Sequence, residues 1–104
     1  MGLKANIFAA LSDVSRLRIL ALLAEGEKCV CEITPALGLA QPTVSRHLSV
    51  LAGQGLLKSR KDGNRMLYSV AAPEIYKVLE SVDVSLINRV KENIVARMVD
   101  PRPS

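Results

Sequence analysis

The feature that most constrains the fold is a single change of hydrophobic periodicity, which falls near Gly55. Before this point, apolar residues recur at the three- and four-residue spacing of amphipathic helices. After it the helical spacing stops, and the segments 57–61 and 65–70 flank the turn sequence at residues 62–64, Asp-Gly-Asn. The sequence therefore predicts a β-hairpin inserted into a chain of helices.

Four helices are predicted before the hairpin and one long helix after it. Apolar residues make up 49% of the chain and aromatic residues only 3%, so the core has to be aliphatic, which suits packed helices. The predicted helices cover residues 3–11, the segment from the cap Ser12-Asp13 to Gly26, the segment from Lys28 to Gly38, a helix opened by Gln41-Pro42, and a helix from Pro73-Glu74 to a stop at residues 100–103.

This order of elements predicts a mainly α fold with a small β-hairpin. Two short helices joined by a tight turn at residues 37–40 and followed by a hairpin form a helix-turn-helix with a wing. A chain of 104 residues has room for one domain, so we expect residues 1–104 to form a single winged helix-turn-helix domain.

The positive charge is concentrated in residues 41–65. This segment holds five Lys and Arg residues against one Asp, which accounts for the whole net charge of +4, and the segments on either side are neutral. Such a patch is typical of a surface that binds a polyanion. Charge alone leaves open a merely solvated hairpin.

The pattern of the fourth helix indicates that the polyanion is duplex DNA. Its apolar stripe of Val44, Leu48 and Leu51 faces a core, and its other side carries short polar groups and an arginine, which suit the major groove of duplex DNA. The only histidine, His47, fits DNA contact or local packing better than a metal site. The predicted DNA-binding residues are Gln41, Thr43, Ser45, Arg46 and His47 of this helix, with Arg60, Lys61 and Arg65 of the hairpin.

The first and last helices carry apolar stripes that the central motif does not cover. A two-fold dimer on an inverted-repeat operator would cover them, and a last helix folded back on its own domain is the alternative. The predicted residues of the dimer interface are Leu3, Ile7, Phe8, Val82, Leu86, Val90 and Ile94.

With no signal peptide at residues 1–6 and no apolar run long enough for a membrane, we expect a cytoplasmic protein without a membrane partner.

Cys29 and Cys31 lie one residue apart and form a candidate site for a thiol-binding ion. In a reducing cytoplasm we expect two free thiols, which suit soft ions such as As(III), Sb(III), Cd(II) and Pb(II). Positions i and i+2 point apart on a helix, and Pro35 weakens the same turn, so we predict that ion binding unwinds it. Redox or persulfide sensing and a purely structural role for both cysteines remain alternatives.

Residues 28–33 and 41–51 together resemble the ArsR/SmtB family of metal- and metalloid-responsive repressors, and residues 11–20 and 55–68 extend the resemblance over nearly the whole chain. The resemblance implies a repressor that leaves its operator when an inducer binds at Cys29 and Cys31, with no permanent cofactor. No motif of a hydrolase, oxidoreductase or phosphate-binding enzyme appears.

Three departures from the family pattern narrow the choice of inducer ion. The segment 83–85, Asp-Val-Ser, lacks the histidine of relatives that bind metal on the last helix, and residues 1–28 lack the cysteines of those that sense cadmium or lead. Thr34 replaces a third cysteine of arsenic-responsive relatives. The expected inducer is therefore As(III) or Sb(III), ahead of Cd(II) or Pb(II), with a third donor from water, a small thiol or another group.

Overall fold

A computed structural model describes residues 2–99 of the protein, and it confirms the predicted fold class. The helices and strands divide into two compact units, one ending at Pro73 and the other beginning at Glu74. The first unit contains α1 (Gly2–Leu11), α2 (Val14–Leu23), β1 (Lys28–Cys29), α3 (Val30–Leu37), α4 (Gln41–Gly53), β2 (Leu57–Asp62) and β3 (Arg65–Val70), and the second contains α5 (Ile75–Ser81) and α6 (Val84–Val99).

The core of the first unit is aliphatic, as the composition predicts. The predicted stripe of α4 is fully buried, and it is joined in the core by residues from α2 and α3. In α2, Leu20 and Leu23 are buried, whereas Val14 and Leu17 are exposed. The largest fully buried side chains are Ile19, Leu20, Ile33, Val44, Leu48 and Leu51.

The hairpin is part of a three-stranded antiparallel sheet in the order β1-β3-β2. Strand β1, which the sequence analysis missed, pairs Lys28 with Tyr68 and Cys29 with Leu67. The predicted helix start at Lys28 is therefore wrong, and α3 begins at Val30. A two-residue strand is too short to show alternation, so its pairing depends on a partner far along the chain.

Helix α3 runs unbroken through Pro35 because both of its ends are capped. At its start, Cys29 and Glu32 form a reciprocal capping box, in which a carboxylate oxygen of Glu32 accepts the Cys29 N–H at 2.9 Å. At its end, Gly38 has a φ of 69° and donates its N–H to the carbonyls of Thr34 and Pro35. These caps offset the hydrogen bond that Pro35 cannot donate.

The predicted long last helix is wrong, because α5 ends at Ser81 and α6 begins at Val84. The break has a local cause at Asp83, whose carboxylate accepts the Leu86 N–H at 2.9 Å and caps the new helix. Apolar spacing continues across this point, so periodicity alone hid the break. The predicted helix stop at residues 100–103 lies outside the described residues.

Candidate nucleic-acid interface and inducer site

The polar residues of the predicted recognition helix, α4, differ in their exposure to solvent. Gln41 and Arg46 are exposed, and Thr43 and Ser45 are half-buried. Within residues 2–99, Arg46 has no hydrogen-bond or ion-pair partner, so its guanidinium is available to an external acceptor. Helix α4 therefore offers one unpaired cation surrounded by short polar groups.

His47 faces inward toward α2, and its side chain is only 14% exposed. Its Nδ1 lies 3.1 Å from an Arg16 guanidinium nitrogen, and its Nε2 lies 3.9 Å from a carboxylate oxygen of Asp13. Because a guanidinium only donates, Nδ1 accepts and Nε2 carries the proton toward Asp13. His47 thus joins α4 to the start of α2.

Asp13 also caps α2, where its carboxylate accepts the backbone N–H groups of Ser15 and Arg16 at 2.8 Å and 3.2 Å. The hydrogen bond from the Arg16 backbone is the main reason that the pKa of Asp13 lies below its usual value, and the Ser15 bond and the charge of Arg16 lower this pKa further. One carboxylate therefore fixes both the start of α2 and the orientation of His47.

The wing, defined as residues 57–70, carries three predicted DNA-binding cations, and two of them already have carboxylate partners. Arg60 donates two hydrogen bonds to Glu27, of 2.8 Å and 2.7 Å. This pairing lowers the pKa of Glu27 and raises that of Arg60. Arg65 lies 3.6 Å from Glu32, whereas Lys61 has no such partner among residues 2–99. Arg60 is thus held beside β1, and Lys61 is available to an external anion.

Cys29 and Cys31 differ in exposure and in role. Cys29 is 2% exposed and occupies the N-cap of α3 in an extended conformation, where its sulfur accepts the Cys31 N–H at 2.9 Å. Cys31 lies in the first turn and is exposed.

The two sulfur atoms are joined in a disulfide, with the Cα atoms 5.0 Å apart. The expectation of free thiols is therefore wrong for this structure, and so is the expectation that both cysteines lie on one helical turn and point apart. The reason is the pairing of Cys29 with Leu67, which keeps Cys29 outside the helix and turns its sulfur toward Cys31.

A cavity of about 500 Å³ lies beside this disulfide, and we call it the cysteine cavity. It extends from the cysteines to the start of α4 and to the tip of the wing. Its lining includes Cys29, Cys31, Gln41, Ser45, Arg65 and Tyr68. The structure thus brings the predicted inducer residues together with three predicted DNA-binding residues, which the sequence analysis treated as separate sites.

The described part of the chain does not complete a metal site around the cysteines. Within residues 2–99, no group of three or more His, Cys, Asp and Glu side chains is placed to hold a metal ion. The side chain of Thr34, which also lines the cavity, has a buried hydroxyl oxygen without a hydrogen-bond partner in this part of the chain. Cys29 and Cys31 are thus the two sulfur ligands that residues 2–99 offer at this site.

The sequence analysis missed three acidic residues at this site. Glu27 and Glu32 fix the wing arginines, and Asp13 fixes His47. Glu32 left a local signal, since an acid three residues after an N-cap is the capping-box pattern, and Asp13 was predicted as part of a helix cap but not as a partner of His47. Glu27 and Asp13 reach partners more than thirty residues away along the chain, which no local pattern reports.

The predicted dimer residues are apolar and open to solvent in both units. Of these residues, Ile7 is half-buried and the others are exposed. No helix in the described part of the chain is long and apolar enough to cross a bilayer. The exposed fractions are 77% for Leu3, 55% for Phe8, 54% for Val82, 44% for Leu86, 45% for Val90 and 54% for Ile94.

The helix pair α3–α4 followed by a wing defines a winged helix-turn-helix protein. A solved structure with this fold, described as the homodimeric winged helix-turn-helix DNA-binding domain of a possible ArsR-family regulator from Mycobacterium bovis, matches with a TM-score of 0.74. It is 32% identical, over 88% of this chain and 84% of that one. The crystal structure of Mycobacterium tuberculosis Rv0081 matches with a TM-score of 0.69 and 35% identity, over 94% of each chain.

Sequence comparison gives the family. The model of bacterial regulatory proteins of the arsR family matches residues 13–59. The arsenical resistance operon repressor of Staphylococcus aureus is 34% identical over 95 residues, which cover 91% of this chain and 89% of that protein. This chain belongs to the arsR family and is a transcriptional regulator, not an enzyme.

Proposed function

We propose that this protein is a homodimeric repressor that binds an inverted-repeat DNA operator through α4 and the wing, and that As(III) or Sb(III) releases it by binding Cys29 and Cys31. The observation that carries the proposal is the position of the two sulfur atoms, next to each other in a cavity that the DNA-binding elements also line. The similarity to an arsenical resistance operon repressor supports the choice of inducer.

Support for DNA binding comes from the exposed polar face of α4 and the cations of the wing. Arg46 and Lys61, which are unpaired within residues 2–99, are the residues expected to contact phosphate or base edges. Support for the dimer comes from the exposed apolar residues of α1 and α6. A two-fold arrangement sets two recognition helices about 34 Å apart, one turn of B-DNA.

The inducer needs the reduced form of the site. The disulfide first accepts two electrons and two protons from an external dithiol or pair of thiols, which are oxidised to a disulfide. The freed thiols then bind the trivalent ion side by side, since sulfur is the ligand that such soft ions prefer. No unwinding of α3 is required, because Cys29 already lies outside the helix.

Release follows from the position of the site. Strand β1 ties Cys29 to β3 of the wing, and the cysteine cavity reaches Gln41 and Ser45 of α4. An ion at the cysteines with its third ligand in the cavity therefore lies between both DNA-contacting elements. With a coupling free energy of about 1–3 kcal/mol, inducer binding weakens DNA binding by about 5- to 150-fold.

The test is a titration of sodium arsenite into the reduced protein bound to an inverted-repeat duplex, which is first selected with the protein from random DNA. Fluorescence anisotropy of the duplex is expected to fall for the wild type and to stay constant for the double variant Cys29→Ser/Cys31→Ser. Antimonite, Cd(II), Pb(II) and Zn(II) are titrated in parallel. Equal release of both proteins by arsenite would refute the inducer site.

One observation favours a second function, a redox-responsive repressor, because the structure holds the cysteines as a disulfide. In that case oxidation and reduction alone change DNA affinity. The same anisotropy assay distinguishes the two functions: a redox sensor changes its affinity between the oxidised and reduced forms without any ion, whereas an arsenic sensor needs both reduction and arsenite.

A further inference from the structure

We propose that the cysteine cavity binds a low-molecular-weight thiol that carries a carboxylate, with its sulfur as the third ligand of the trivalent arsenic and its carboxylate paired with Arg65. This inference rests on the proposed function, because it assigns the missing ligand of the same site. It also names the class of small molecule that acts together with the inducer.

The chain has fewer sulfur ligands than arsenic can bind. Arsenite carries three oxygen ligands that sulfur replaces, and the chain has only two cysteines. No cluster of three or more His, Cys, Asp and Glu side chains within residues 2–99 offers a metal site. A small thiol supplies the missing sulfur without any change in the protein.

The cysteine cavity has room for a small thiol. The cysteine cavity has a volume of about 500 Å³, within the range of about 300–1,000 Å³ that is usual for small-molecule sites. Cys31 is exposed at the cavity and Cys29 is buried, so a ligand that enters from solvent reaches the pair from the side of Cys31.

A positive charge at the cavity favours an anionic ligand. Arg65 lines the cavity, and its side chain is 53% exposed. Its only carboxylate partner among residues 2–99, Glu32, is 3.6 Å away and already accepts the Cys29 N–H, so the guanidinium keeps donors for a second carboxylate. A carboxylate on the thiol is therefore favoured over a neutral or cationic group.

The binding step balances without a change in oxidation state. Three As–O bonds of arsenous acid break, and three As–S bonds form to Cys29, Cys31 and the small thiol. The three thiol protons leave on the three departing oxygens as water. Before this step, two molecules of the same thiol reduce the Cys29–Cys31 disulfide and become a disulfide themselves.

The experiment compares 3-mercaptopropionate with 3-mercaptopropanamide, which differ only in the charge of one end. Reduced protein without DNA is titrated with arsenite in each thiol, and bound arsenic and thiol are counted by native mass spectrometry. We expect one arsenic and one thiol per protomer. We also expect a half-saturating arsenite concentration up to about fivefold lower with the carboxylate, the upper end of what one exposed ion pair supplies.

Two variants test the assignment to Arg65. In Arg65→Gln the advantage of 3-mercaptopropionate is expected to disappear, whereas Lys58→Gln removes a wing cation outside the cavity lining and is expected to keep it. Equal half-saturation with both thiols in the wild type, an unchanged preference in Arg65→Gln, or bound arsenic without thiol would overturn the inference. Arsenic that binds in none of the arms would instead refute the proposed function.

Discussion

Glu27 holds Arg60 by two short hydrogen bonds, so its replacement tests whether this pair keeps a wing cation away from DNA. In Glu27→Gln the side chain keeps its size but loses the charge that neutralises the guanidinium. Arg60 then becomes free to bind a phosphate, as Lys61 is proposed to do. We therefore expect the variant to bind DNA more tightly than the wild type at low salt.

The magnitude follows from counterion release. Each added phosphate contact steepens the slope of log K against log salt by about 0.9, so one new contact makes affinity fall about 3.5-fold more between 50 and 200 mM salt. In a dimer, Arg60 is freed in both protomers, and two new contacts make the extra loss about 12-fold. Fluorescence anisotropy with a labelled duplex over this salt range measures the slope.

Glu25→Gln is the matched control. Glu25 lies two residues earlier, pairs with Lys28 at 3.7 Å and does not contact the wing. The Glu25→Gln substitution changes the net charge by the same amount as Glu27→Gln. It is therefore expected to raise DNA affinity slightly without steepening the slope of log K against log salt. Equal slopes for the two variants, or a slope in Glu27→Gln no steeper than in the wild type, would refute the role given to the Glu27–Arg60 pair.

Four further variants test the scaffold and the assembly. Leu48→Ala removes a fully buried side chain of α4 and is expected to cost about 2–5 kcal/mol in urea unfolding, whereas Val14→Ala, at a 74% exposed position, should cost less than about 0.5 kcal/mol. The pKa of Asp13 is lowered in the folded state, so its stabilising effect is present above the ordinary value of 3.8 and is lost as pH falls through the lowered value. Asp13→Asn, which keeps a capping oxygen, should therefore flatten the loss of unfolding free energy below about pH 4, and a wild-type acid slope in this variant would contradict the assignment. Ile94→Glu places a charge among exposed apolar residues of α6 and should yield monomers in sedimentation equilibrium, so a variant that remains dimeric would move the interface elsewhere.

Much of the fold is local enough to be predicted from the sequence. The spacing of Val44, Leu48 and Leu51 predicts the buried face of α4, and the Asp-Gly-Asn turn predicts the wing, where Gly63 has a φ of 64°. Both signals depend on residues within a few positions of each other. The two predicted elements are present with nearly the expected bounds.

The errors have physical causes of two kinds. At Asp83 a local cap competes with a continuous apolar stripe, and the cap wins because its carboxylate satisfies a free N–H at the start of α6. At Cys29 a long-range strand pairing with Leu67 decides the backbone conformation, and with it the direction of the sulfur. The cysteine cavity depends on that same pairing, so its closeness to Gln41 and Arg65 became visible only in three dimensions.

Arsenic bound to the reduced protein, measured together with DNA release in one sample, tests the central claim most directly. Protein loaded with arsenite in 3-mercaptopropionate is separated from free arsenic by gel filtration, and arsenic content, X-ray absorption at the arsenic edge and operator binding are then measured. The account predicts one arsenic per protomer with sulfur ligands only, loss of the operator, and no bound arsenic in Cys29→Ser/Cys31→Ser. Full arsenic occupancy with the operator still bound would contradict it.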